Sequence, residues 1–434
     1  MGHMKVAEKR RRNEMGKRRR IGKALTEVGK SRLSVLCVVS AFVFVALLPV
    51  HSAGAADQPK TLKIGALVCM TGWFSSYDIQ TGQNEPQLVA DMINERGGIT
   101  IKGQKYKIEL VPEDCKSTLD GVSAAATSLA AKGIKFTIGP AAFFGRASGP
   151  ITNRNKILDV LGYNVLTPDE VGPNQPYTFA GFGGAPAEFM SGINFAKAKF
   201  PDIKKVCMVA PAGASNKWLE AFQRAQLAAN GIQVVGDYVV YPDDTSDWAP
   251  FAAKINAIKG VDAVFWGNAI TFHVANMVKA LREIGYDKWV FEFSGGAAAD
   301  NVLKLIGKDS ARKTAIASFM PESKNNPAEL QGLIRKSLSK YGPDVQLSMQ
   351  TATGLAVLAD MIERAQSLDS TVVKKKWESM DGQTVKTLFG PGIISGTKTY
   401  KIKGHGMGNP VPHEIIDEKG EISEGGWFPS GPIP

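Results

Sequence analysis

The feature that most constrains this chain is a long alternation of two hydrophobic periods. From Thr61 onward, apolar runs of four to eight residues are followed by amphipathic stretches of 12–18 residues. The first kind reads as a strand buried on both faces, the second as a helix with one apolar stripe. Leu62–Met70, Tyr106–Glu113, Phe136–Gly139, Ile157–Leu161 and Tyr177–Phe182 are the expected strands of a first set. Helices are expected at 83–96, closed by Gly97-Gly98, and at 119–132, closed by Gly133, because glycine leaves a helix through a left-handed turn at little steric cost.

The alternation then begins again. Strands are expected at Val206–Ala210, Ile232–Val240, Ala263–Gly267 and Trp289–Phe293, with helices at 217–230, 248–259 and 272–284. A later set holds a strand at Ala315–Phe319, helices at 328–340 and 351–366, and short strands at Tyr400–Ile402 and Glu414–Ile416. Strand–helix alternation at this spacing is the signature of parallel sheets covered by helices on both faces. Its restart argues for two such sheets, each with its own core. The expected fold class is therefore α/β, with two doubly wound, Rossmann-like lobes. Ligands in this architecture sit beyond the carboxyl ends of the strands, so the cleft between the lobes is where function is sought.

Charge separates the N-terminus from the rest. The formal net charge is +11, but residues 1–32 hold twelve Lys/Arg against three acids, and residues 33–56 hold no charged side chain. The body that follows is nearly neutral, which leaves no broad field for a phosphate backbone, and no nucleic-acid partner is expected. A basic run, an apolar stretch over 33–50 and the small residues Ala53-Gly54-Ala55 are the three parts of a secretory signal. Residues 1–56 are accordingly expected to be a signal peptide and the remainder to work in the periplasm.

Enzyme motifs are absent: no phosphate-binding Gly-rich loop with Lys-Ser/Thr, no His-Glu-x-x-His, no nucleophile elbow. Gly181-Phe182-Gly183-Gly184 has Pro186 where a dinucleotide loop needs its third glycine, and reads as chain crossing between lobes. His273, His405 and His413 have no His or Cys partner at metal-ligand spacing, so neither a metal nor a cofactor is expected. Cys69 and Cys115 end strands that should be neighbours; a disulfide and a pair of buried free thiols are both compatible with that placement.

The opening Leu62-Lys63-Ile64-Gly65-Ala66-Leu67, then Thr71-Gly72, then Asp91-Met92-Ile93-Asn94-Glu95-Arg96-Gly97-Gly98-Ile99 carry a resemblance. So do Gly103-Gln104-Lys105, Val111-Pro112-Glu113-Asp114 and Thr137-Ile138-Gly139-Pro140. In order and spacing the chain resembles the type I periplasmic binding proteins of ABC importers for branched-chain amino acids and related small organic acids. The resemblance implies two lobes joined by a three-strand hinge, closing on one small solute and docking on membrane permease subunits, with no catalysis. On this scheme residues 57–181 and 297–392 form lobe 1, residues 182–296 and 393–434 lobe 2, with crossings near 180–184, 294–297 and 390–395.

The resemblance also places the binding residues and shows where this chain departs. Amino-acid-binding members present a serine hydroxyl in the segment 141–146; here Ala142 and Phe143 stand there, followed by Arg146. Where those members have small hydroxylated residues, this chain has Gly162-Tyr163-Asn164. Where they hold the ammonium with an acid, on the helix after Ala263–Gly267, it has Thr271, Phe272 and His273. Taking an ammonium into a dry cleft without a counter-charge costs several kcal/mol, on the order of a thousand-fold in affinity. The expected wall of Trp73, Phe74, Tyr77, Phe143, Tyr163 and Phe272 suits a ring or branched hydrocarbon, with Arg146 or a protonated His273 taking an acid group. Asn164 and Ser215 complete the expected contacts. An aromatic or branched carboxylate is thus favoured over a zwitterion. A true neutral amino-acid binder, and a ligand-sensing lobe for a membrane receptor, are the alternatives.

Overall fold

The computed structural model describes residues 58–142 and 144–434. The expected signal peptide and Phe143 lie outside the described residues. The first sheet has six strands: β1 (Lys60–Val68), β2 (Ile99–Ile101), β3 (Gln104–Asp114), β4 (Phe136–Ile138), β5 (Leu158–Leu161) and β6 (Thr178–Ala180). Their order is β2-β3-β1-β4-β5-β6. β1 runs parallel to β3 with Leu62 opposite Ile108 and Val68 opposite Asp114, and β4, β5 and β6 continue the parallel pairing. β2 and β3 form an antiparallel hairpin. Its turn residues Lys102 and Gly103 both have positive φ, the arrangement that matches strand twist in a two-residue loop. The Gly97-Gly98 turn is required sterically as well as conformationally, since a Cβ on Gly98 would stand 2.1 Å from the Tyr106 carbonyl oxygen.

The second sheet has eight strands: β7 (Lys205–Pro211), β8 (Gln233–Val234), β9 (Val239–Tyr241), β10 (Ala263–Trp266), β11 (Trp289–Glu292), β12 (Thr314–Ile316), β16 (Pro410–Ile416) and β17 (Ile422–Pro429). β7, β10, β11 and β12 are parallel neighbours, and β16 and β17 add an antiparallel edge. A small antiparallel sheet joins β13 (Thr384–Thr387), β14 (Gly390–Ser395) and β15 (Gly406–Gly408). The strand expected over Ile232–Val240 is split into β8 and β9, with Gly236 at φ +74° between them. The strand expected at Tyr400–Ile402 is instead the end of a short helix, Thr397–Tyr400, whose tyrosine is buried.

Strand pairing shows where the chain changes sheets. It leaves the first sheet after Ala180. The return lies after Ile316, beyond the boundary expected at 297, because the apolar run around Ala315 finds its parallel partner in β11. The third crossing lies at Gly408–Pro410, beyond that expected at 390–395, because β14 pairs with β13 and β15 before the chain reaches β16.

Several helices escaped the periodic reading, among them Ala299–Ala311 and Ser370–Glu378, and two others did so for different reasons. Gly145–Arg154 contains two glycines and Pro150, a poor helix former by propensity. It docks through polar groups: Ser148 Oγ donates to Asp159 Oδ2 at 3.0 Å, and Thr137 Oγ1 to Asp159 Oδ1 at 2.8 Å. Burial pushes the Asp159 carboxyl up to about 7. Gly184–Lys199 is buried along most of its length and so lacks a clear stripe.

The helix Gln350–Ala365 lies directly against the ends of the first sheet. A Cβ on Gly181 would stand 2.4 Å from Gly354 Cα, and one on Gly162 2.4 Å from Thr351 Cα. These contacts are backbone, which cannot swing aside. Gly181→Ala should therefore destabilise the protein by about 1–3 kcal/mol, read as a lower urea midpoint at unchanged slope. A midpoint matching the parent chain would show that this packing does not constrain the fold.

Candidate ligand-binding site

The cleft lies where the carboxyl ends of both sheets meet, a narrow space lined from both lobes. The first lobe contributes Trp73, Phe74, Ala142, Tyr163, Asn164 and Val165, and the second Pro211, Ala214, Asp243, Asn268, Ile270 and His273. Each group follows the end of a strand, so the residues are gathered by topology although they are spread over two hundred positions of sequence.

The loop carrying Trp73 is tied down by the neighbouring strand. Asp114 Oδ1 accepts from the backbone N–H groups of Met70 (2.9 Å) and Thr71 (3.2 Å), and Thr71 Oγ1 donates to Oδ2 at 2.7 Å. Ser117 Oγ donates to the Thr71 carbonyl at 2.7 Å and accepts from Phe74 N–H at 3.1 Å. Trp73 is thereby held at the lip, 45% exposed. Behind it the rings of Phe74, Tyr77 and Tyr163 follow at centroid spacings of 5.2 Å, a range in which aromatic pairs attract. Ala142 takes a left-handed φ of +54°. Asn164 Nδ2 fastens that loop by donating to the carbonyls of Pro140 and Ala142, both at 2.9 Å. Asn164 Oδ1 is buried and has no hydrogen-bond partner among the described residues.

On the opposite wall, Asp243 accepts from Gly213 N–H at 3.1 Å. Burial raises its carboxyl above the ordinary range, Asp244 adds to the rise, and Arg146 works against it. His273 donates from Nε2 to the Asp243 carbonyl at 3.0 Å and accepts at Nδ1 from the Tyr241 hydroxyl, 3.2 Å away. Both contacts are made by the neutral imidazole, and burial lowers the His273 pKa to about 4. The expectation of a protonated His273 is therefore corrected: its ring is a neutral wall of the cleft. Three helices begin beside the cavity, Gly145–Arg154 after Ala142, Lys217–Ala229 after Ala214, and Thr271–Glu283 after Ile270. Helix N-termini bring partial positive charge and unpaired N–H groups to the same place.

Of the residues singled out from sequence, Trp73, Ala142, Tyr163, Asn164 and His273 line the cavity. Tyr77 stands behind Tyr163 and is buried. Phe272 is 52% exposed and packs toward Trp248 rather than inward. Ser215 donates to Glu220 Oε1 at 2.9 Å, and the adjacent Ala214 takes the lining position. Arg146 is exposed on the first turn of its helix, and its charge acts on Asp243 and Glu170. Cys69 and Cys115 are buried free thiols. Sequence reasoning missed Asp243 and Asn268. The available signal was position: Asp243 follows the strand Val239–Tyr241 at its carboxyl end, as Asn268 follows β10.

Two parallel-sheet lobes sharing one cleft at their strand ends define a two-lobed binding-protein architecture. A family model described as periplasmic binding protein matches residues 61–406, and the chain belongs to that family. It is a family of substrate-binding proteins rather than enzymes. Similar solved structures include a leucine binding protein from Thermotoga maritima, 18% identical, covering 85% of this chain and 98% of the other at TM-score 0.66. A branched-chain amino acid transporter substrate binding protein from Streptococcus pneumoniae, in complex with isoleucine, is 16% identical over 85% and 99% of the two chains, TM-score 0.65. A solute binding protein of an ABC transporter from Rhodopseudomonas palustris, in complex with 3,4-dihydroxybenzoic acid, is 19% identical over 86% and 99%, TM-score 0.63.

The depressed His273 pKa sets a measurable pH window. Between the ordinary imidazole range near 6.5 and about 4, the unfolded chain binds a proton that the folded chain refuses. The stabilising contribution is thus complete above that window and is lost as pH falls through it. The His273 ring resonances should stay constant from pH 8 to 5.5 by NMR; a midpoint near 6.5 would contradict the buried, doubly bonded ring.

Proposed function

We propose that this chain is the exported solute-binding component of an ABC importer, trapping one small organic ligand between its lobes by hinge closure and presenting it to a membrane permease. The observation that carries this reading is that the cavity takes its lining equally from loops of both sheets, so that a ligand touches both lobes only when they are together. Closure is then stabilised by the ligand's differential affinity for the closed form. Family membership supports the same role.

The lining supports a ligand with three parts. Trp73, Phe74, Val165 and Ile270 favour an apolar body, aromatic or branched. The converging helix N-termini favour an acid group. Asn164 Oδ1 and Asp243 favour a hydrogen-bond donor, which a hydroxylated aromatic acid supplies. Asp243 also revives the neutral amino-acid reading: the cleft-side first turns of the helix after β10 lack a carboxylate, but the cleft has one from another loop, and an ammonium is no longer without a counter-charge. The isoleucine and dihydroxybenzoate complexes of the structural relatives span the same two chemistries.

Thermal-shift screening of the mature chain against aromatic acids and neutral amino acids separates them. A ligand present at a hundred times its dissociation constant adds about 2.7 kcal/mol, a shift of several degrees. Aromatic acids should give the larger shift. Asp243→Asn should weaken an ammonium-bearing ligand by about tenfold or more and a phenolic one less. Stabilisation by no member of either class would reject the receptor reading of the cleft.

A further inference from the structure

Beneath the cleft, where the lobes meet, two buried carboxyl groups lie near enough for one to raise the other's pKa, with no cation acting on either among the described residues. Glu188, on the helix Gly184–Lys199, is 1% exposed, and Glu292, at the end of β11, is fully buried. Both belong to the second lobe. The first lobe reaches them through Gln350, which opens the helix packed on the first sheet. Its Nε2 donates to Glu188 Oε1 at 2.7 Å and to the Ser294 carbonyl at 3.2 Å. Two consecutive glycines make room for this contact. A Cβ on Gly295 would stand 2.4 Å from Gln350 Nε2, and one on Gly296 would stand 2.4 Å from the Tyr163 hydroxyl. The second lobe thus has a bare stretch of backbone over which two first-lobe side chains close.

The bonding is incomplete. Glu292 Oε1 accepts from Ser294 N–H at 2.7 Å and from the Ser294 hydroxyl. Glu292 Oε2 and Gln350 Oε1 are buried with no partner among the described residues. The groups that face the pair are the hydroxyls of Tyr163, Tyr77 and Tyr241, the carboxyl of Glu85 beyond Tyr77, and the amides of Gln223 and Asn268. None of these carries positive charge, so among the described residues only hydrogen bonds such as those from Ser294 and Gln350 offset an ionised pair, and like charges in a dry interior repel strongly.

We propose that Glu188, Glu292 and Gln350 form a proton-dependent latch between the lobes, which holds them together while the carboxyl pair is protonated and releases them when it ionises. Opening withdraws Gln350 and Tyr163 and lets water reach the pair, so the open form tolerates the charge that the closed form does not. Burial pushes the Glu292 carboxyl up to about 8 and the Glu188 carboxyl well above the ordinary range, with Glu292 adding to the latter. In the open form the pair approaches the ordinary carboxylate value near 4.3. Closure therefore takes up protons, is favoured fully only below the open-form value near 4.3, and weakens as pH rises from there to about 8, at most about tenfold per pH unit for each carboxyl.

The latch rests on the hinge motion proposed above, and one experiment distinguishes their failures. Small-angle X-ray scattering of the mature chain without added solute, from pH 5 to 9, should show the radius of gyration growing with pH. The Glu188→Gln/Glu292→Gln double variant should lose that trend, while circular dichroism reports whether it is folded; Gln350→Leu serves if it is not, and should be open across the range. A parent chain with no pH trend, or a folded double variant that keeps it, overturns the latch. If isoleucine or 3,4-dihydroxybenzoate compacts the parent chain equally at every pH, the latch fails and the receptor reading stands. If neither solute nor pH changes the radius, both fail.

Discussion

A parallel strand buried on both faces spends its backbone on its neighbours and its side chains on the two helical layers. Only its ends remain for chemistry. In both lobes of this protein the carboxyl ends point to one shared cleft, and the rest of the structure follows from that constraint. β1, β4 and β5 deliver Trp73, Ala142 and Tyr163 from one side. β7, β9 and β10 deliver Ala214, Asp243 and Asn268 from the other. Helices leaving the cleft start there, which adds their N-terminal N–H groups to the same space.

The constraint also explains the unusual polarity at the junction. The first-sheet ends must pack against Gln350–Ala365, and glycines at 162, 181 and 354 permit backbone-to-backbone approach. The N-terminus of that helix therefore lies inside the protein. Glu85 accepts from Ser348 N–H at 3.0 Å and Met349 N–H at 2.6 Å, and burial still raises its carboxyl to about 8. Glu188 and Glu292 lie on the other side of Gln350. Such a line of buried carboxyls is a poor source of stability, since each costs desolvation. Its better physical use is to make the fit between lobes depend on protonation and solvent access.

Much of the architecture was legible in the sequence because strand burial imposes long apolar runs and helices impose a period near 3.6 residues. The runs at Leu62–Met70, Val206–Ala210 and Ala263–Gly267 each became a strand within two residues at either end. Elements held by polar contacts were not legible: Gly145–Arg154 docks through Ser148 and Asp159, which leave no hydrophobic period. The crossings between lobes were misplaced for a related reason. An apolar run such as that around Ala315 announces a strand, but which sheet accepts it depends on a vacancy at the edge of β11.

The chain by itself determined two parallel-sheet lobes, the family, and the strand-end positions of Trp73, Ala142, Tyr163, Asn164 and His273 at the cleft. Only the tertiary structure decided the protonation of His273, the inward place of Asp243 and the buried carboxyl pair under Gln350. Those properties depend on desolvation and on partners 30 to 162 residues away in sequence, and a local pattern of residue types carries no record of either.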